Sequence, residues 1–93
     1  MPGPRTRRPE RAEQYESAAY RELLARLAVA VRQLREEKGW TQEEAAERCG
    51  MTARLLQRVE GQDANVTFTS LARLSEGFGV DVTVLLAASP TGR

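Results

Sequence analysis

The chain has 93 residues, of which 41% are hydrophobic, 5% aromatic and 29% charged, and its formal net charge is +1. This length allows one small domain with a mostly aliphatic core, and the net charge is far from the basic balance usual in nucleic-acid binders and gives almost no support for DNA binding by itself. The absence of histidine and the presence of a single cysteine exclude an intrachain disulfide, a Cys/His zinc site and a Cys-His nucleophile pair, so we expect no enzyme, metal site or cofactor.

Residues 1–9 are predicted to form a disordered basic arm. They contain three prolines, one glycine and three arginines, which cannot form a helix interior and have nothing to bury. Such an arm either follows a phosphate backbone or minor groove, or serves as a solubilising tail. The N-terminus lacks the apolar core of a signal peptide, and no run approaches the ~18 apolar residues of a membrane span, so we expect a cytoplasmic protein.

One long amphipathic helix is predicted over residues 10–38, a stretch without glycine or proline. Its apolar residues recur at intervals of four, three, four and three, at Tyr20, Leu24, Leu27, Val31 and Leu34. Residues 10–26 exceed the length that the following helices can cover. The apolar face of this part therefore either wraps the later helices of the same domain or packs against a second subunit.

The spacing of small, turn and apolar residues over residues 42–60 is typical of a helix-turn-helix. Thr41 followed by Glu44 is a capping-box pattern that starts the first helix. Gly50 ends that helix, because glycine takes the left-handed conformation of a short turn without steric penalty. Thr52 then caps the second helix.

The second helix of this motif is predicted to have two different faces. Leu56 and Val59 lie three residues apart and point back at the first helix, where we interpret Cys49 as a buried structural thiol. The opposite face carries residue types that reach base edges or phosphates in a DNA major groove, namely Ala53, Arg54, Gln57 and Arg58.

Two more helices are predicted after this motif. Thr67 caps a helix that ends at Gly77 and Gly79 and whose core residues would be Phe68, Leu71, Leu74 and Phe78. Asp81 caps a last short helix through Val84, Leu85 and Leu86. Residues 89–93 are predicted to be a frayed tail, and residues 10–88 a single helix-turn-helix domain.

Residues 27–86 resemble the Xre family, the lambda repressor-like DNA-binding domains of phage repressors, restriction controllers and many bacterial regulators. Several separate segments carry the resemblance: LREEKGWTQEEAA, the glycine turn, RVEG and SLARLSEGFGV. The resemblance implies an all-α, compact five-helix bundle with a helix-turn-helix, here with an extended N-terminal helix.

By position, the resemblance also implies a set of DNA-binding residues: Gln42, Thr52, Ala53, Arg54, Leu55, Gln57 and Arg58. Gln42 would clamp a phosphate at the N-terminus of its helix. Arg54 and Arg58 would set specificity, because a bidentate arginine-guanine pair is worth ~1–3 kcal/mol of discrimination. Arg35 and Glu60 match a pair that forms a buried salt bridge between the first and third helices of the family.

The chain departs from the family in the loop after the recognition helix. The usual basic residues are replaced by Gln62, Asp63 and Ala64, and the usual proline by Val66. Asp63 would repel a phosphate, whereas Leu55 places an apolar side chain on the exposed face, where it either contacts a thymine methyl or sugar or indicates a protein-binding face.

From these features we expect a transcriptional regulator that binds double-stranded DNA sequence-specifically. We expect it to be a repressor that binds a palindromic operator as a homodimer. Two alternatives stay open. One is an antitoxin that represses its own operon and binds a toxin. The other is an adaptor that keeps the fold, binds another protein and makes no contact with DNA.

Overall fold

The computed structural model describes residues 17–90, which form five α-helices and no strand. In chain order, the helices are α1 (Ala18–Glu37), α2 (Gln42–Arg48), α3 (Ala53–Glu60), α4 (Phe68–Phe78) and α5 (Val82–Ala87). None of these five helices combines the length and the apolar character needed to cross a membrane. The predicted all-α, five-helix class with a helix-turn-helix is confirmed.

Helix α1 begins later than the sequence pattern predicts. Ser17 is extended (φ −65°, ψ 148°), and its hydroxyl accepts a hydrogen bond from the main-chain N–H of Tyr20 at 3.0 Å. The prediction of one uninterrupted helix over residues 10–38 is therefore wrong at Ser17, because this residue caps a helix start within the predicted stretch. The proposed arm, residues 10–16 and residues 91–93 lie outside the described residues.

The core lies where the five helices meet, and α2 packs on both α3 and α4. Its buried side chains are aliphatic apart from Cys49 and Phe78, and include Leu27, Val31, Ala45, Ala46, Leu56, Val59, Leu74 and Leu85. Leu56 and Val59 anchor α3 in this core, so its opposite face is turned outward.

One predicted core residue is not in the core. Phe68 is 88% exposed. Phe68 is the first residue of α4, and the helix buries Leu74 and Phe78 in its later turns instead. The helical repeat is therefore correct, but it extends one turn beyond the part of α4 that the other helices cover.

Gly77 lies inside α4, and the helix ends at Gly79, whose φ of 70° is left-handed. The prediction that Gly77 ends the helix is wrong, and the residue has a packing role. A Cβ built on Gly77 would lie 2.7 Å from Cys49 Cα and 2.9 Å from the main-chain oxygen of Arg48. Glycine is required there because α2 and α4 cross without room for a side chain.

Candidate nucleic-acid interface

The helix-turn-helix is held by hydrogen bonds at both of its joints. At the start of α2, Thr41 and Glu44 form a reciprocal capping box, with distances of 2.8 and 3.0 Å. The turn to α3 passes through Gly50, whose φ is 67°, and the Thr52 hydroxyl accepts from the main-chain N–H of Leu55 at 3.1 Å. These local bonds fix the direction in which α3 leaves the turn.

The outward face of α3 carries two guanidinium groups and one amide. Arg54, Gln57 and Arg58 are exposed and lie at helical intervals of three and four residues, on the same side of the helix. Thr52, also exposed, lies at the N-terminus of the same helix. The structure therefore brings four of the predicted DNA-binding residues to one accessible surface rich in hydrogen-bond donors.

Leu55 and Ala53 are less accessible than the sequence predicts. Both are half-buried and pack against the edge of the core. Leu55 lines a shallow groove together with Met51, Thr69 and Arg73. The side of α3 that faces α4 is therefore partly covered, and only the polar residues of the outward face are exposed on this helix.

Gln42 is half-buried at the first position of α2, and its amide already has a protein partner. Its Nε2 donates to Oε1 of Glu60 at 3.0 Å. An amide nitrogen carries two hydrogens, so one N–H and the amide oxygen stay available to a ligand. The structure thus connects the candidate phosphate contact to the end of α3, a link that the sequence pattern does not indicate.

Glu60 is the buried charge of this region, at 4% exposure. Arg35 donates to it twice, from Nε to Oε2 at 2.7 Å and from Nη2 to Oε1 at 3.1 Å. The hydrogen bond to Glu60 raises the pKa of Arg35 above its ordinary value, and Arg35 Nη1 also donates to the main-chain oxygen of Trp40 at 3.1 Å. One carboxylate therefore joins α1, α2 and α3.

The turn at the end of α3 has a left-handed residue that the sequence did not indicate. Gly61 caps the helix with φ −89°, and the left-handed residue is the next one, Gln62, with φ 59°. Arg58 Nε donates to the main-chain oxygen of Asp63 at 2.8 Å. A glycine directly after a helix suggests a left-handed Gly61, so nothing in the sequence indicated that Gln62 takes this conformation.

A further contact outside the predicted set supports the turn of the motif. Arg73 on α4 donates from Nη1 to the main-chain oxygen of Gly50 at 2.7 Å. Arg48 on α2 places its guanidinium carbon 4.9 Å from the centre of the Trp40 ring. Both arginines therefore have structural partners on the scaffold.

Comparisons with known proteins also find a helix-turn-helix in this part of the chain. A helix-turn-helix family model matches residues 31–85. A Neisseria hypothetical transcription factor from Neisseria meningitidis serogroup B is 34% identical over 65 residues, and the match covers 70% of this chain and 61% of that protein. A crystal structure of the hypothetical transcription factor NHTF from Neisseria matches with a TM-score of 0.68 and 33% identity, covering 71% of this chain and 76% of that chain.

Proposed function

This chain belongs to the Xre-like helix-turn-helix family, and on that premise we propose that it is a DNA-binding transcriptional regulator whose α3 lies in the major groove. The observation that carries the proposal is the outward face of α3, with Arg54, Gln57 and Arg58 on a helix anchored by buried Leu56 and Val59. An anchored helix presents these donors in a defined register to base edges.

Each residue of this surface has a distinct role in the proposal. Arg54 and Arg58 read guanines through their guanidinium groups, which fit O6 and N7. Gln57 and Thr52 contact phosphates or neighbouring base edges from the same face. Gln42 places its remaining amide hydrogen and oxygen at the N-terminus of α2, where the helix dipole favours a phosphate.

A homodimer on a palindromic operator is the assembly that we propose. One copy presents only two arginines on α3, and the net charge of +1 supplies little general attraction to DNA. Two copies on half-sites ~34 Å apart double these contacts on one face of the duplex. Such a complex would act as a repressor by occupying the promoter, and the name of the Neisseria relative, a hypothetical transcription factor, supports a role in transcription.

The test is fluorescence anisotropy with random duplex DNA across a salt series. The protein is compared with Arg54→Ala/Arg58→Ala and with the matched control Arg26→Ala/Arg48→Ala, which removes two positive charges away from the outward face of α3. Circular dichroism checks that each variant is folded. On random duplex Arg54 and Arg58 meet phosphates in place of their guanines, so we expect a log-log salt slope of several units that is reduced in the first variant and less affected in the control.

A second candidate function is binding to another protein, as an antitoxin or as an adaptor. The specific observation that favours it is Phe68, which is 88% exposed and lies beside Val82 on α5. This candidate predicts that the folded protein binds no duplex even at low salt. It also predicts that Phe68→Ser abolishes binding to a co-purified partner, whereas Arg54→Ala/Arg58→Ala leaves that binding unchanged.

A further inference from the structure

Two hydrogen bonds join the same two residues at the end of α3. Arg58 Nε donates to the main-chain oxygen of Asp63 at 2.8 Å, and the main-chain N–H of Asp63 donates to the main-chain oxygen of Arg58, also at 2.8 Å. The Asp63 carboxylate adds a longer charge contact, with Oδ2 4.0 Å from Arg58 Nε. The residue that the sequence suggested would repel DNA is therefore attached to a candidate base-reading arginine.

The backbone of Gln62 makes this arrangement possible. Among residues 17–90, Gln62 alone has a positive φ without being glycine. Its main-chain N–H donates to the main-chain oxygen of Val59 at 3.1 Å, which closes the helix end and turns Asp63 back onto Arg58. The position of the Asp63 oxygen thus depends on one left-handed residue in the loop.

The hydrogen bond from Nε leaves the far edge of the Arg58 guanidinium available. Within residues 17–90, neither Nη1 nor Nη2 of Arg58 has a hydrogen-bond partner, and the side chain is 52% exposed. The guanidinium is planar, so fixing Nε restricts the plane in which the two terminal nitrogens lie. A guanidinium restricted in this way has less rotational freedom to lose when it pairs with a base.

We propose, building on the proposed function above, that Asp63 is a positioning residue for Arg58. Its main-chain oxygen, placed by the left-handed turn at Gln62, holds the Arg58 guanidinium with Nη1 and Nη2 ready to pair with guanine. Discrimination between bases by α3 then depends on the conformation of a loop that itself contacts no base edge.

Arg54 provides an internal comparison for a test on the free protein. It lies on the same helix and is exposed, and the structure gives it no hydrogen bond or ion pair with any residue in 17–90. We expect ¹⁵N relaxation to give Arg58 Nε an order parameter near the rigid-backbone value of ~0.85 and Arg54 Nε a value below ~0.6. Equal disorder at the two positions would overturn the proposal.

The test on DNA uses substitutions of Gln62 that change no charge. Gln62→Pro cannot take a positive φ, and Gln62→Val strongly disfavours it but keeps the main-chain N–H, whereas Gln62→Gly takes it readily. Affinity is measured for a selected duplex and for one whose contacted guanine pair is replaced. We expect the wild type to bind the selected duplex roughly tenfold or more tightly than the altered one. This preference should persist in Gln62→Gly and be largely lost in Gln62→Pro and Gln62→Val. The salt dependence of binding should be the same in all of them, because no charge is changed.

The outcomes separate the positioning role from the proposed function. In an Arg58→Ala background, Gln62→Val should cause no further loss of preference, and an additional loss there would overturn the proposal. If Arg58→Ala loses the preference while Gln62→Pro and Gln62→Val, both checked for folding, retain it, the positioning role alone is rejected. If the folded wild type binds no duplex, the proposed function fails. The positioning role is then overturned as well, because an ordered Arg58 would only cap the end of α3.

Discussion

The side-chain amide of Gln42 and the carboxylate of Glu60 are joined by a hydrogen bond of 3.0 Å, which links the first residue of α2 to the last residue of α3. Glu60 also accepts two hydrogen bonds from Arg35 on α1. The relative orientation of the two motif helices and the placement of a candidate phosphate contact therefore depend on the same buried carboxylate.

Replacement of Arg35 should destabilise the fold more than any loss of a surface arginine. Arg35→Met removes both short charged hydrogen bonds to Glu60 and leaves the buried carboxylate with Gln42 and a longer contact of 3.9 Å to Arg32 Nε, so we expect the free energy of unfolding to fall by ~3 kcal/mol. Urea denaturation measures this change. Arg35→Met/Glu60→Leu removes both charges and should be less destabilised than Arg35→Met, and a double variant that is weaker still would show that the pair is not the source of the loss.

Gly77→Ala should destabilise the protein although alanine is the better helix former. The new Cβ would lie under 3 Å from backbone atoms of Cys49 and Arg48, and such overpacking costs ~1–3 kcal/mol. Thermal unfolding followed by circular dichroism gives the difference. Ala72→Gly, at an exposed position of α4, is the control for helix propensity and should itself lower stability by ~1 kcal/mol. A Gly77→Ala protein that is more stable than the wild type would contradict the close crossing of α2 and α4.

Gln62→Gly should stabilise the protein. Gln62 is a non-glycine residue in the left-handed region, which carries a conformational penalty of ~1–2 kcal/mol in the folded state. Glycine removes this penalty, but it also makes the unfolded chain more flexible, and this reduces the net gain. We expect a net gain of ~0.5–1 kcal/mol in denaturant unfolding. Gln57→Gly, in the interior of α3, should lose about 1 kcal/mol, so the two glycine substitutions are expected to have opposite signs.

Stability should fall at alkaline pH in a way that depends on Cys49. Burial raises the pKa of the Cys49 thiol above its ordinary value, so the folded state retains a proton that the unfolded state releases. This contribution is fully present below about pH 8.5, the ordinary value of a thiol, and is lost as pH rises through the higher pKa of the folded state. Unfolding free energies of the wild type and Cys49→Ala, measured from pH 7 to 10, should diverge above pH 8.5. Parallel curves would show that the Cys49 thiol has the same pKa in the folded and unfolded states.

Features with a local cause could be predicted from the sequence. The hydroxyls of Thr41, Thr52 and Thr67 and the carboxylate of Asp81 each accept from a main-chain N–H at the start of the helix that the sequence assigned to them. Capping needs only a few consecutive residues, so its pattern is visible in one sequence. The polar face of α3 follows for the same reason, because three- and four-residue spacing defines it.

Features with a tertiary cause could not be predicted. Phe68 continues the apolar repeat of α4, but no helix of the described chain reaches far enough to cover it. Gly77 looks like a helix terminator until the path of α2 is known. The left-handed conformation of Gln62 arises from the hydrogen bonds that close α3, and its side-chain type gives no sign of it.

Trp40, the single tryptophan of the chain, lies between α1 and α2 and stacks on Phe78 of α4, with ring centres 5.6 Å apart. Lys38 and Arg48 place cations 5.4 and 4.9 Å from its ring. The indole thus contacts residues from successive parts of the chain, and its surroundings differ from water only when these parts assemble. Its fluorescence is an intrinsic optical signal of folding, and because the ring packs on Phe78 and not on the outward face of α3, the same signal should change little when DNA is added.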